Sequence, residues 1–150
     1  MNITNPWPFT EDEPVPTPQP ARVFGPHEKQ KALDDALTAV PEAKKHFLGG
    51  SAGLGLQAAD IDVFMLVPDL YHVADRLEGY DFVTPHFHEY SDGGFIPLRK
   101  GDLNIIMMED EHDYNQTEIA YKVCQYLVSE GIHPTKEQRK VIHRILRGEP

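Results

Sequence analysis

The chain has 150 residues, 40% of them hydrophobic and 25% charged, which is the length and composition of one ordinary globular domain. A formal net charge of −10 argues against broad, sequence-independent DNA binding, because such binding depends on neutralising phosphates. No apolar run approaches the ~20 residues that span a bilayer, no signal-peptide pattern opens the chain, and the single Cys124 excludes an internal disulfide. We therefore expect a cytoplasmic protein without a membrane partner.

Residues 1–26 are predicted to form a proline-rich arm that is extended or disordered. Prolines at positions 6, 8, 14, 16, 18, 20 and 26 lack a backbone N–H and restrict φ, which disfavours a helix. The apolar side chains of the arm that offer candidate anchors are Trp7, Phe9, Val23 and Phe24. Two interpretations stay open: these residues pin the arm to the body or to a partner, or the arm is loose.

Residues 27–110 are predicted to form an α+β core. Helical apolar spacing begins near His27 and ends at Pro41, and the segments HFLGG and DIDVFMLV then have the pattern of two strands. A helix over about 69–78 is followed by three strand patterns, YDFVTPHFHEYS, FIPLRK and DLNIIMME, with a hairpin-like turn at Asp92-Gly93-Gly94 between the first two. The order predicts a mixed β-sheet flanked by helices, without the regular alternation of a doubly wound sheet.

Residues 111–150 are predicted to form C-terminal helices that pack on this core. The first helix would bury an apolar stripe made of Ile119, Val123, Tyr126 and Leu127. The second would open with a capping box between Thr135 and Gln138 and turn its apolar side chains inward: Val141, Ile142, Ile145 and Leu146. Its basic residues either frame a phosphate-bearing ligand or form a solvated face: Lys136, Arg139, Lys140, Arg144 and Arg147.

Two carboxylates separated by one residue are the main chemical signal. In a strand, Asp60 and Asp62 point to the same face, ~7 Å apart, and repel each other unless they are solvated or share a cation. Mg²⁺ takes one or two carboxylates together with substrate phosphates. The preceding Gly49, Gly50 and Ser51 supply backbone N–H groups and a hydroxyl that suit a phosphate. The competing interpretation is a loop followed by an exposed acidic strand.

The segment LGGSAGLGLQAADIDVFMLV resembles the nucleotidyltransferase superfamily of DNA polymerase beta, whose signature is Gly-Gly or Gly-Ser, a spacer and Asp-h-Asp-h. The similarity is closest to the CCA-adding and poly(A) polymerase branch and to small phage-encoded nucleotidyltransferases. It extends over about residues 30–148, and only the motif at 47–66 is specific. The Arg-Asp pair that usually follows Gly-Gly in the CCA-adding branch is missing, so its nucleotide selection does not carry over.

The resemblance implies roles for individual residues. Gly50 and Ser51 would contact the triphosphate, with Gly49 beside them, and Asp60 and Asp62 would hold Mg²⁺ or Mn²⁺.

The third carboxylate of the family lies on a later strand, where the alignment places Asn104. Asp102 takes this position only if the strand register shifts by two residues. Arg99, just before that strand, is a candidate phosphate contact or an ordinary strand-end residue.

The expected function is transfer of a nucleoside monophosphate from a nucleoside triphosphate to a hydroxyl on RNA or protein. If the chain is phage-encoded, it would act in the host cytoplasm. The alternative is a catalytically weakened nucleotidyltransferase fold that binds a nucleotide or regulates a protein partner, because the amide of Asn104 neither holds a metal as strongly as a carboxylate nor takes a proton. A third alternative is an interaction protein whose acids only face solvent.

Overall fold

The computed structural model describes residues 20–82, 95–146 and 148. Most of the predicted arm, the greater part of the strand predicted over 80–91, the predicted turn at Asp92-Gly93-Gly94 and the basic residue Arg147 lie outside these residues. The rest of the chain forms a mixed α+β fold with helices flanking a sheet, as the order of patterns predicts.

The described residues contain five helices and five strands. The helices are α1 (Pro26–Ala39), α2 (Gly50–Gly53), α3 (Leu70–Arg76), α4 (Glu111–Ser129) and α5 (Lys136–Leu146). The strands are β1 (Lys45–Gly49), β2 (Ile61–Leu66), β3 (Asp81–Phe82), β4 (Phe95–Lys100) and β5 (Leu103–Met108). Of the described helices, none is long and apolar enough to cross a membrane.

Polar residues fix where the helices begin. Asp69 accepts a hydrogen bond from the backbone N–H of His72 at the start of α3, and Asp110 does the same for Asp113 at the start of α4. Before α5, the backbone N–H of Thr135 donates to Gln138 Oε1 at 2.8 Å and the N–H of Gln138 donates to Thr135 Oγ1 at 3.1 Å. The predicted capping box is therefore confirmed.

The sheet has the order β1-β2-β5-β4-β3. Strands β2 and β5 are parallel, and every other neighbouring pair is antiparallel. Both central strands are almost entirely buried, as expected for strands that are covered on two faces. Their pairing brings together residues about 40 positions apart and sets the geometry of the site described below.

Two apolar clusters lie on opposite faces of the sheet. The larger one packs Ile61, Val63 and Met65 of β2 against α1 and α3. The smaller one packs Leu66 of β2 against Tyr114 of α4. Because side chains alternate along a strand, the even-numbered residues of β2 belong to the face that α4 covers.

The end of the predicted arm packs on the body. Arg22 and Ala58 exchange two backbone hydrogen bonds of 2.9 Å each, and the Phe24 side chain is buried in the larger cluster. Val23, between them, is exposed. Helix α1 then begins at Pro26, where the missing N–H is tolerated.

The predicted buried stripe of α4 is wrong. Ile119, Val123 and Tyr126 are exposed, Leu127 is half-buried, and the buried residues of this helix are Tyr114, Thr117, Ala120 and Cys124. The physical reason is the aromatic layer that the helix covers. The ring of Tyr114 packs edge-on against Phe47, with centroids 5.6 Å apart, and Phe47 stacks on Phe64, with centroids 4.7 Å apart. The side of α4 that carries Tyr114 therefore faces the sheet. The inward prediction for α5 is also wrong at Val141 and Ile145, which are exposed.

Candidate functional site

One row of residues crosses the sheet at the end where β1 finishes and β2 begins. The strand register aligns Gly49 with Asp62, Asp62 with Asn104, and Asn104 with Arg99. Residues paired in this way share one face of a sheet. The row therefore places a glycine, a carboxylate, an amide and a guanidinium side by side on the face covered by α4 and α5.

Gly50 directly follows this row and touches Asp62. Its φ is +63°, and a Cβ built on it would lie 2.2 Å from Asp62 Oδ2. A side chain at position 50 would therefore adopt the disfavoured left-handed conformation and collide with the carboxylate. The backbone of the glycine turn and the carboxylate of β2 are held in direct contact.

Asn104 is the hydrogen-bond partner of Asp62. Its Nδ2 donates to Asp62 Oδ1 at 3.0 Å, and its side chain is buried. Its Oδ1 is also buried and has no hydrogen-bond partner among the residues that the structure describes. A buried acceptor normally has a partner, so this oxygen is suited to a cation or a donor that enters the site.

The protonation of Asp62 is strongly perturbed. Burial raises the pKa of its carboxyl well above the usual range, and the charge of Asp60 and a hydrogen bond with Asp60 raise it further. The hydrogen bond from Asn104 and the positive charge of Lys136 lower this pKa without reversing the shift. Asp62 therefore ionises at a cost unless a cation compensates its charge.

Asp60, just before β2, completes the carboxylate pair. Its Oδ2 lies 3.7 Å from Arg99 Nη1, and both side chains are largely buried. Arg99 thus pairs with a carboxylate and also borders Asn104 in the row. A guanidinium here neutralises part of the charge of the two acids and is available to a phosphate that reaches them.

Asp102 is engaged elsewhere. Its carboxylate pairs with Arg22 at 3.0 Å, and Arg22 also pairs with Glu28 of α1. Its carbonyl accepts a 2.6 Å hydrogen bond from the N–H of Ile61. No register shift occurs, so Asn104 is the residue beside Asp62, as the alignment predicts.

Helix α5 contributes two cations to the same region. Arg139 Nη2 donates to Ser51 Oγ at 2.6 Å, and its Nη1 donates to the carbonyl of Pro134 at 3.1 Å. Lys136 is close enough to Asp62 to lower its pKa. The sequence predicts both residues only as members of a basic cluster on α5. The packing of α5 against the fold places these two at the site.

The donor atoms of the site suit a hard divalent cation. Asp60, Asp62 and the Oδ1 of Asn104 offer carboxylate and amide oxygens, which Mg²⁺ and Mn²⁺ accept. Among the residues that the structure describes, no group of three or more His, Cys, Asp or Glu residues is arranged to hold a metal. The site thus offers two carboxylates and one amide as metal ligands, whereas a site with three carboxylates would bind the cation more strongly.

Comparison of the chain with protein-family models, with curated proteins and with solved structures found no match. What the site can do therefore follows from its own residues and their geometry.

Proposed function

We propose that the protein is a metal-dependent nucleotidyltransferase. It transfers a nucleoside monophosphate from a nucleoside triphosphate to a hydroxyl acceptor on RNA or protein: the acceptor oxygen bonds to the α-phosphorus, the bond between the α- and β-phosphates breaks, and pyrophosphate leaves. The observation that carries the proposal is the direct contact between the turn at Gly50 and the carboxylate of Asp62. It brings backbone donors for a phosphate and acidic ligands for a metal to one point, which phosphoryl chemistry requires.

The phosphate groups of the nucleotide bind at the start of α2. Gly49 and Gly50 let a phosphate approach the backbone closely, and Ser51 offers its hydroxyl. Arg139 already hydrogen-bonds that hydroxyl, so its guanidinium lies where a phosphate bound to Ser51 gains a second, charged donor. Arg99 supplies positive charge from the side of Asp60.

Asp60 and Asp62 are the residues that would hold Mg²⁺ or Mn²⁺; Asn104 faces Asp62 with Nδ2 and would offer Oδ1 to the ion only after its amide turns over. The bound ion supplies charge neutralisation to the attacking and leaving oxygens of an in-line displacement. Asn104 neither takes the proton of the acceptor hydroxyl nor adds a negative charge. The acceptor must therefore lose its proton to Asp60, Asp62 or solvent, which slows the transfer.

The amide of Asn104 also favours a second function. Asn104 satisfies Asp62 with a hydrogen bond where a third carboxylate would repel it. A site built in this way keeps the groups that bind a nucleotide and loses the group that activates an acceptor. The second proposal is a nucleotide-binding or regulatory module with the same ligand and little or no transfer.

Thermal unfolding with each of the four nucleoside triphosphates, with and without Mg²⁺ or Mn²⁺, tests whether the site binds. A ligand present at about 100 times its dissociation constant adds about 2.7 kcal/mol, which raises the melting temperature measurably. Asp60→Asn and Asp62→Asn should abolish the metal-dependent shift. Asp102→Asn is the matched control, because it removes an acid that pairs with Arg22 outside the row. The absence of a shift with every nucleotide contradicts both proposed functions.

Incorporation of a labelled α-phosphate into RNA or protein separates the two functions. Transfer by the wild type that is lost in Asp62→Asn supports the enzyme. Binding without transfer, together with gain of transfer in Asn104→Asp, supports the weakened binding module.

A further inference from the structure

The row of residues that forms the site lies largely buried beneath α4 and α5. Asn104 is 6% exposed, Asp62 is half-buried, and the side chains of Arg99 and Asp60 are 15% and 23% exposed. The proposed ligand, a triphosphate with a metal ion, is large and polar and needs direct access to these groups. For such a ligand to reach the row, part of the cover has to move.

The two covering helices differ in how firmly they are held. Helix α4 buries Tyr114, Thr117, Ala120 and Cys124. All residues of α5 are described, and none of them is buried. Because burial of apolar side chains opposes local opening, a helix without a buried residue separates from the fold at a lower free energy than α4 does. Helix α5 is therefore the part of the cover that opens.

Hydrogen bonds fasten α5 near both of its ends. Arg139 Nη2 donates to Ser51 Oγ at 2.6 Å, and Gln116 Nε2 of α4 donates to the carbonyl of Leu146 at 2.7 Å. Such bonds are exchanged for bonds with water when the groups separate, so each adds little net resistance to opening. Arg139 also makes α5 part of the site, because Ser51 carries the hydroxyl that is expected to contact a phosphate.

The segment between α4 and α5 can act as a hinge. Gly131 has a φ of +80°, and nothing lies within 4 Å of a Cβ built on it. Ile132, His133 and Thr135 are exposed, whereas Pro134 is buried and keeps the segment attached to the fold. A short exposed segment with a glycine absorbs the changes in φ and ψ that a rotation of α5 requires.

We propose that α5 is a hinged cover of the site: it swings away about residues 131–135 to admit a nucleotide, and it closes with Arg139 against the phosphates. Lys136 lies three residues before Arg139 on the same side of α5, and its charge lowers the pKa of Asp62. Closure therefore brings two cations to the ligand, and the negative phosphates stabilise the closed position. Opening of α5 in the free protein does not depend on the proposed function, whereas closure on phosphates rests on it.

Cys124 lies under α5 and reports on its opening. It is the only cysteine of the chain and is 4% exposed. Thr117 Oγ1 lies 3.0 Å from His143 Nε2. Cys124 follows Thr117 by two turns on the same face of α4, and Arg139 precedes His143 by one turn on α5. Burial raises the pKa of the Cys124 thiol, and the nearby charge of Arg139 lowers it. The thiol therefore becomes accessible when α5 swings away.

The rate at which dithionitrobenzoate modifies Cys124 in the full-length protein, without nucleotide, measures this opening. The reference is Cys124→Ala/Val63→Cys, whose thiol takes the place of a side chain that is 0% exposed in β2 and reacts only on global unfolding. After correction for the unfolding free energies of the two proteins, measured in urea, Cys124 should react about tenfold or more faster than the reference thiol. Amide hydrogen exchange of the wild type should likewise be about tenfold or more faster in α5 than in β2 and β5.

Substitutions at the two hydrogen bonds of α5 test whether these bonds hold it closed. Arg139→Gln and Gln116→Ala each remove one bond, so each should speed modification of Cys124 about fivefold. Gln116 lies outside the row, so its effect does not come from the charge of Arg139 beside the thiol. Arg144→Gln is the matched control, because this residue is exposed on the same helix, and it should leave the rate within about a factor of two.

Sodium tripolyphosphate with Mg²⁺ tests closure on phosphates. At about 100 times its dissociation constant it should slow modification of Cys124 about tenfold or more, because α5 then opens only with loss of its contacts to the ligand. A higher melting temperature with an unchanged rate at Cys124 overturns closure and leaves the proposed function standing. No change of melting temperature with tripolyphosphate or with any nucleoside triphosphate contradicts the proposed function, and the rate in the free protein still decides whether α5 opens.

Two results in the free protein overturn the hinged cover. In the first, Cys124 reacts no faster than the thiol at position 63 after the correction for stability, so that α5 opens only with the whole fold. In the second, Arg144→Gln speeds modification of Cys124 as much as Gln116→Ala does, which shows that the two hydrogen bonds do not hold the helix closed.

Discussion

Asn104 donates a hydrogen bond to Asp62 from the position directly opposite it on the parallel neighbouring strand, with Nδ2 3.0 Å from Oδ1. This amide satisfies one oxygen of a carboxylate that burial makes costly to ionise. Its own Oδ1 is buried and has no partner in the described part of the chain. The hydrogen bond between Asn104 and Asp62 stabilises the site when no metal is bound. A carboxylate in place of Asn104 would therefore change both the stability of the protein and its affinity for a metal.

Asn104→Asp is expected to destabilise the metal-free protein by about 1.5–3 kcal/mol, because a hydrogen bond to a charged group is replaced by repulsion between carboxylates. The same change should strengthen Mg²⁺ or Mn²⁺ binding about tenfold or more. Urea unfolding with and without the cation measures both effects. Asn115→Asp, on α4 where the side chain accepts a hydrogen bond from Lys45 Nζ, is the matched control and should be nearly neutral. Equal effects of the two substitutions would contradict this account of the row.

Gly50→Ala and Gly55→Ala separate backbone strain from contact with the carboxylate. Both glycines have positive φ, +63° and +77°, but only the Cβ at position 50 meets Asp62, whereas nothing lies within 4 Å of the Cβ at position 55. Gly55→Ala should cost about 1 kcal/mol, and Gly50→Ala about 2 kcal/mol more. Denaturant unfolding measures the difference. In the Gly50→Ala background, adding Asp62→Ala should recover part of the additional loss of stability. If no stability is recovered, the contact between the new Cβ and Asp62 is not the cause of that loss.

Stability should depend on pH through Asp62. Its folded pKa is raised by burial and by the charge of Asp60, so the folded state holds the proton more tightly than the unfolded state. This contribution to stability is fully present below the ordinary Asp pKa of 3.8 and is lost as the pH rises through the folded pKa. The free energy of unfolding, measured across that window, should fall with pH in the wild type.

Variants and metal identify the group responsible for this fall. Asp62→Asn should remove the contribution, and Asp60→Asn should shorten the window, since one cause of the raised pKa disappears. Mg²⁺ should restore stability at the upper end of the window. A slope that persists in Asp62→Asn would assign it to another residue.

A double-mutant cycle of Ser51→Ala and Arg139→Gln tests the link between α2 and α5. The hydrogen bond from Arg139 Nη2 to Ser51 Oγ predicts a coupling energy of about 1 kcal/mol in the free protein. Arg139→Gln should also weaken triphosphate binding about tenfold or more, because a charged donor is lost. Calorimetric titration measures the affinity. Arg144→Gln, an exposed change on the same helix, should leave it within a factor of two or so, and an equal loss in both variants would point to general electrostatic attraction.

Adjacent substitutions on α4 test which side of the helix is buried. Val123→Ser, on the exposed side, should change the free energy of unfolding by less than about 0.5 kcal/mol. Cys124→Ser, which places a hydroxyl among buried apolar atoms, should cost about 1–3 kcal/mol. Thermal unfolding of the two variants is sufficient. The opposite order would restore the stripe that the sequence predicts.

Features that depend on neighbours along the chain can be predicted from the amino-acid sequence. The period of a strand puts Asp60 and Asp62 on one face, glycine permits the positive φ at position 50, and Thr135 with Gln138 starts α5. The order of helix and strand patterns likewise gave the mixed α+β class. Each of these follows from backbone conformation and contacts within a few residues.

Contacts between residues far apart in the chain depend on strand register and helix packing. Asn104 reaches Asp62 across 42 positions through the register of β2 and β5, and Arg139 reaches Ser51 across 88 positions through the docking of α5. The apolar pattern of α4 offered Ile119 and Val123 as a buried face, yet the helix docks on the aromatic layer of the sheet with the side that carries Tyr114, Thr117, Ala120 and Cys124. Register and docking minimise the free energy of the whole fold, so a local pattern does not contain them.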